Sequence, residues 1–305
     1  MPSMRSQAVR LLVKYLVGPA IASGTTLRKT RFLFESLSKV SLMPRNITIK
    51  PERINNISAE WVSGPEANQD KIILYFHGGC FVQGSPATHR DLAARLSITS
   101  GARILLINYR LAPENPFPAG LEDCVTAYKW LLAEGFNPED IVIAGDSAGG
   151  GLTIATLVTL RDEGIVLPAA AVCLSPWVDL ENSGESHSTR AAQDPMLNSR
   201  FLEFTAKLYV GDRRPDNPSI SPIHADLKGL PPLLIHVGGQ EILLSDARRL
   251  EAQAKNDGIS VTLEQWDDMW HVWHIFAGMM PEGQQGIERI GLFIRQHHMP
   301  KAGVA

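Results

Sequence analysis

Residues 140–152 read Asp-Ile-Val-Ile-Ala-Gly-Asp-Ser-Ala-Gly-Gly-Gly-Leu, and the reading of this stretch decides the fold. DIVIAG is a short, apolar, strand-like run, and AGGGLTIATLVTLRDE after it has helical spacing. Between them stands Gly145-Asp146-Ser147-Ala148-Gly149. A serine raised on a tight strand-to-helix turn needs a strained backbone conformation that only small neighbours permit, so glycines two residues to either side have a steric cause. Its hydroxyl then points out above the sheet, and the helix start aims N–H groups and a positive dipole end at any developing anion. Ser147 is the candidate nucleophile. Asp146 reads as a loop carboxylate that satisfies nearby backbone donors.

Outward from this turn, short apolar runs alternate with amphipathic stretches from about residue 70 onward. KIILYF, ARILLINY, DIVIAG, AAAVCLS, PPLLIHVGG and VTLEQW predict strands, and the proline-free segments between them predict helices. NITIKPERI and ISAEWVSG alternate like an antiparallel pair. The fold class is therefore α/β, with a mostly parallel sheet of about eight strands flanked by helices. Residues 1–45 and 181–225 stand outside the rhythm, and a small helical cap built from both is expected over a catalytic body of residues 46–180 and 226–305.

The 305 residues carry a net charge of -3, without the basic excess that marks a nucleic-acid binder. Three widely spaced cysteines, Cys80, Cys124 and Cys173, encode neither a disulfide framework nor a paired-cysteine metal site, which fits a reducing, cytoplasmic setting. The opening MPSMRSQAVRLLVKYLVGPAIASG superficially imitates a secretion signal, but Arg10 and Lys14 interrupt its apolar run. An amphipathic helix with Val9, Leu12, Val13 and Leu16 on one face is expected instead. No stretch approaches the roughly 20 apolar residues of a membrane span, and no stable membrane association is expected.

Just past KIILYF comes Phe76-His77-Gly78-Gly79-Cys80-Phe81. Acyl transfer places negative charge on the substrate's carbonyl oxygen, and consecutive glycines let backbone N–H groups approach it unobstructed. Gly78, Gly79 and Ala148 are the expected oxyanion donors, and His77 reads as a residue that orients the loop. Downstream, DDMWHVWHIF offers His271 and His274 as the base a serine requires, and spacing alone does not separate them. After PPLLIHVGG, QEILLSDARRL offers two acids. Asp246, with Ser245 as N-cap, reads as an acid complementing a helix dipole, which leaves Glu241 as the expected orienting acid. Phe32, Phe34, Phe201, Phe204 and Tyr209 have helical spacing, and Phe81, Phe204 and Tyr209 are the candidate pocket residues.

With YFHGGCFVQG, INYRLAPENPFPAGLED, VIAGDSAGGGL, LSPWVDL and MWHVWHIF in this order, the chain resembles the hormone-sensitive-lipase family of bacterial esterases within the α/β-hydrolases. The resemblance covers essentially everything from residue 70 onward. It implies carboxylic-ester hydrolysis by a serine, an acid and a histidine, a small-molecule ester substrate, and no metal or organic cofactor. It also places the base on His271, and relatives often carry aspartate where Glu241 stands. Cys80 departs from the pattern, since many relatives have a third glycine or alanine there. Relatives commonly pair through the sheet edge, so a homodimer is an expectation too. A receptor that has lost its histidine, and a same-fold hydrolase of amides, carbamates or lactones, are the competing readings. Both His271 and His274 are present, which argues against the first.

Overall fold

The computed structural model describes residues 1–19, 27–38 and 42–298. Eight strands form one sheet in the order β1-β2-β4-β3-β5-β6-β7-β8. They are β1 (Thr48–Ile54), β2 (Ile57–Ser63), β3 (Asn68–Phe76), β4 (Ala102–Ile107), β5 (Ile141–Asp146), β6 (Ala170–Leu174), β7 (Leu233–Gly238) and β8 (Val261–Trp266). β2 runs antiparallel to both β1 and β4, and every pairing from β4 to β8 is parallel.

Parallel strands buried on both faces need apolar residues at every position, which is why their sequences read as unbroken runs. In β3, Ile72, Leu74 and Phe76 enter one core while Ile73 and Tyr75 enter the other. On the first face lie α4 (Ala119–Ala133), α5 (Ala148–Asp162) and α8 (Leu244–Asn256), contributing Leu121, Leu152 and Leu250 among others. On the second lie α3 (Pro86–Ser100) and α9 (Pro281–His297), contributing Leu92, Leu96, Ile287, Ile290 and Ile294. The result is a three-layer body whose strand ends carry the loops of interest.

Outside this body are α1 (Met4–Leu12), α2 (Leu27–Ser38), the single turn α6 (Ser186–Thr189) and α7 (Ser199–Val210). The expected apolar face of the opening helix is corrected. Val9 and Val13 are buried, but Leu12 and Leu16 are exposed. Ser6 shares the inner stripe with the valines, which turns the buried face away from the leucines, and residues 13–17 widen into a π-helical turn that shifts the phase further. Part of the expected N-terminal cap, residues 20–26 and 39–41, lies outside the described residues.

The N-terminal segment meets both the inserted segment and the body. Arg10 Nη2 donates to Gln193 O in the inserted segment at 2.8 Å. Arg31 on α2 donates to Val82 O at 2.6 Å and Ala112 O at 2.8 Å, and pairs with both oxygens of Glu114.

Candidate active site

Ser147 sits between β5 and α5 with φ 54° and ψ -120°, a conformation that costs a non-glycine residue energy. Its surroundings allow no bulk. A Cβ on Gly149 would lie 1.9 Å from Phe76 O, and one on Gly145 would lie 2.3 Å from Gly149 O. Ser147 N donates to Leu174 O at 2.8 Å, which ties the turn to β6.

The loop after β3, which carries the expected oxyanion donors, is ordered by buried polar groups. Asp146 Oδ1 accepts from Tyr75 Oη at 2.9 Å and from Gly78 N at 3.0 Å, and His89 Nε2 lies 3.2 Å away. Burial works to raise the Asp146 carboxyl, but His89 and the hydrogen bonds from His89 and Tyr75 outweigh it and hold the group below the usual range. Asp146 thus acts as the loop carboxylate that its sequence position predicts. His77 is stacked on Tyr109 with ring centroids 4.3 Å apart, and its Nδ1–H donates to Gly78 O at 2.8 Å. Burial and the neighbouring His89 push it down to about 3, so it is neutral and serves the loop rather than proton transfer.

This arrangement corrects one expected donor. The Gly78 N–H is committed to Asp146 and does not face outward for a substrate oxygen. Among the described residues, the Gly79 and Cys80 amides have no backbone or side-chain acceptor. Ala148 opens α5, so its N–H is one of those a helix start leaves unpaired. Cys80 takes φ 54°, a left-handed conformation that glycine enters freely. Burial pushes its thiol up to about 12.

His271 and Glu241 approach from the loops after β8 and β7. His271 Nδ1 donates to Glu241 Oε1 at 3.4 Å. The other oxygen, Oε2, accepts from Ser175 Oγ at 2.8 Å and Gly238 N at 3.0 Å. Ser175, at the end of β6, also accepts from Val272 N at 3.1 Å, so one hydroxyl spans Glu241 and the residue after His271. Burial alone would lower His271, but the Glu241 hydrogen bond and the charges of Glu241, Asp194 and Asp146 hold it above the ordinary imidazole value. His274 belongs elsewhere: its Nε2 lies 3.1 Å from His236 Nδ1, it packs against Trp273, and burial drives it well below the ordinary value.

Asp246 makes no contact with His271. Its Oδ2 accepts from Val178 N at 3.1 Å and Asp179 N at 3.0 Å. Ser245 is not an N-cap, since α8 begins at Leu244, and its hydroxyl instead accepts from Ser186 N at 2.8 Å. Of the pocket candidates, Phe81 and Tyr209 are buried and stacked, with centroids 3.9 Å apart at 12°. Phe204 is separate and 49% exposed. Five residues along a helix turn the chain about 140° beyond a full revolution, so Phe204 and Tyr209 cannot share a face.

Two other features do not join this site. Asp179, Glu181 and His224 have the spacing of a metal cluster, but Asp179 pairs with Arg249 and Ser183, and Glu181 with His224. A cleft of about 550 Å³ lined by residues including Asn137, Asp140, Ala169 and Pro232 opens at the amino ends of the strands, opposite Ser147.

The sequence profile of a family with the α/β-hydrolase fold matches residues 73–275. An acetyl-hydrolase of Streptomyces hygroscopicus is 48% identical over 242 residues, 79% of this chain and 81% of its own length. A crystal structure of an esterase from the bacterial hormone-sensitive-lipase family superposes with TM-score 0.93 at 45% identity, covering 98% of this chain and all of that one. The chain belongs to the hormone-sensitive-lipase family of α/β-hydrolases. It is a carboxylic-ester hydrolase. The esterase EstE5, in a crystal soaked with p-nitrophenyl butyrate, superposes with TM-score 0.91 at 44% identity, covering 97% of the esterase described here and 99% of EstE5.

The sequence had not pointed to Ser175 or Cys80 N as site groups. Ser175 follows a strand directly, the one available signal, but its two partners lie 66 and 97 residues away.

Proposed function

We propose that this esterase works by acyl transfer through Ser147, with His271 as base and Glu241 as its orienting acid. The observation that carries the proposal is the buried His271–Glu241 pair at 3.4 Å, set on the same strand-end edge of the sheet as the strained Ser147 turn. Ser147 Oγ attacks the ester carbonyl while His271 Nε2 takes its proton, and Glu241 stabilises the imidazolium that results. The tetrahedral oxyanion rests on the N–H groups of Gly79, Cys80 and Ala148. Collapse expels the alcohol, which receives its proton from His271. Water then enters by the same steps and releases the acid.

The N-terminal helices and the inserted segment form one cap over this site, a reading supported by the Arg10–Gln193 and Arg31–Val82 contacts. Phe81 and Tyr209 close the pocket with a flat aromatic wall, which favours acyl groups of about two to eight carbons. Three buried, unpaired cysteines support a cytoplasmic setting. No helix among the described residues is long and apolar enough to cross a membrane. Pairing through β8, the last strand of the sheet, is the proposed dimer contact.

The test is hydrolysis of p-nitrophenyl acetate, butyrate, octanoate and palmitate beside p-nitroacetanilide, with Ser147→Ala as control. Turnover is expected to peak at the short esters and to fall about 10⁴-fold or more in the variant. Fastest turnover of palmitate or of the anilide, or an active Ser147→Ala, would overturn the reading.

A further inference from the structure

Ile242, the residue after Glu241, is gripped at both ends of its backbone by the inserted segment. Its N–H donates to Asp194 Oδ2 at 3.0 Å, and its carbonyl accepts from Ser186 Oγ. Ser186 and Ser245 also exchange hydrogen bonds, N to Oγ in each direction, at 2.8 and 2.9 Å. Asp194 completes the grip from its own side, because its Oδ1 accepts from Met196 N at 2.8 Å and Leu197 N at 3.0 Å. This carboxylate closes a turn in the insertion and holds the acid loop 48 residues away with the same group.

We infer that Asp194 is a positioning residue for ester hydrolysis: it fixes the loop that carries Glu241 and places a second negative charge beside the Glu241–His271 pair. The inference rests on the triad assignment above. Three backbone N–H groups satisfy Asp194, and among the described residues no lysine or arginine pairs with it. Burial pushes its carboxyl up to about 6, with the His271 charge drawing it down and Glu241 pushing it up. The charges that act on His271 are those of Glu241, Asp194 and Asp146, with His274 behind it. A carboxylate here therefore does two things. It keeps Glu241 in register with the imidazole, and it favours the imidazolium that forms as Ser147 gives up its proton.

A plain structural anchor would affect stability alone, so the deciding readout is the pH profile. Asp194→Asn keeps the shape and removes the charge, and Asp194→Ser keeps an acceptor for the neighbouring amides. In either folded variant kcat is expected to fall roughly 10- to 100-fold with KM within about twofold. His271 loses a stabilising charge, so the acid limb of kcat/KM is expected to move to lower pH by roughly half a unit or more. A limb and a kcat equal to those of the unaltered enzyme would overturn the proposal. Should neither variant fold, coupling is still read by carboxyl ¹³C NMR of otherwise unaltered chains. Removing the imidazole in His271→Ala must raise the pH at which Asp194 titrates, and an unmoved titration would overturn the proposal. Failure of the triad reading looks different, because His271→Ala would then retain turnover.

Discussion

Glutamate is one methylene longer than aspartate, and at 241 the loop takes up that length by holding the far oxygen. Ser175 Oγ and Gly238 N bind Oε2, which leaves Oε1 for His271. The 3.4 Å separation is long for a charge-assisted hydrogen bond, and such contacts tighten when substrate is bound. Glu241→Gln keeps the shape but removes the charge, and kcat is expected to fall about 10⁴-fold. The proton balance follows from the raised His271. Because the free base must be neutral, kcat/KM of the unaltered enzyme should fall on the acid side at a pH above the ordinary imidazole value of about 6.5. Loss of the Glu241 charge lowers that value, so the residual activity of Glu241→Gln should extend to lower pH. Steady-state profiles spanning roughly pH 4 to 9, on both sides of the ordinary imidazole value of about 6.5, check both statements.

At the scale of elements, the turns are set by what a side chain would strike. Gly149→Ala places a methyl group into Phe76 O, which lies on the neighbouring strand and cannot step aside. The variant is expected to lose about 3 kcal/mol or more, read as a lowered midpoint of thermal unfolding. Arg31 makes a different link, from α2 to Val82 just after the Gly78–Gly79 loop and to Ala112 in the loop after β4. Arg31→Ala is expected to speed limited proteolysis near the N-terminus and lower kcat/KM while leaving the far-ultraviolet spectrum unchanged. Strands β3 to β7 were legible in the sequence because parallel pairing buries both of their faces, so each contains an apolar run between turns, while β1 and β2 were legible by alternation. The serine turn was legible because its steric demand falls on neighbours two residues away. Gly78 was not, because the group that occupies its N–H is Asp146, 68 residues on, and no local pattern encodes that bond. The same holds for the Ser6–Val9–Val13 stripe, whose phase depends on what α1 packs against.

Across the whole molecule, the sheet order is what brings distant residues together. β3, β5, β6, β7 and β8 lie side by side, and their carboxyl ends deliver Gly79, Ser147, Ser175, Glu241 and His271 to one edge. The inserted segment then reaches back over that edge through Asp194 and Ser186. The inserted segment is therefore tied to the loop that carries Glu241, and its composition bears on that loop through the tie. The central claim is that Ser147 alone is the activated nucleophile. It is tested most directly by treating the esterase with a p-nitrophenyl alkylphosphonate and mapping the adduct by peptide mass spectrometry. The account predicts one equivalent bound, confined to the peptide containing Ser147, with labelling slowed by orders of magnitude in His271→Ala. An adduct on any other residue, or undiminished labelling of Ser147 without His271, would contradict it.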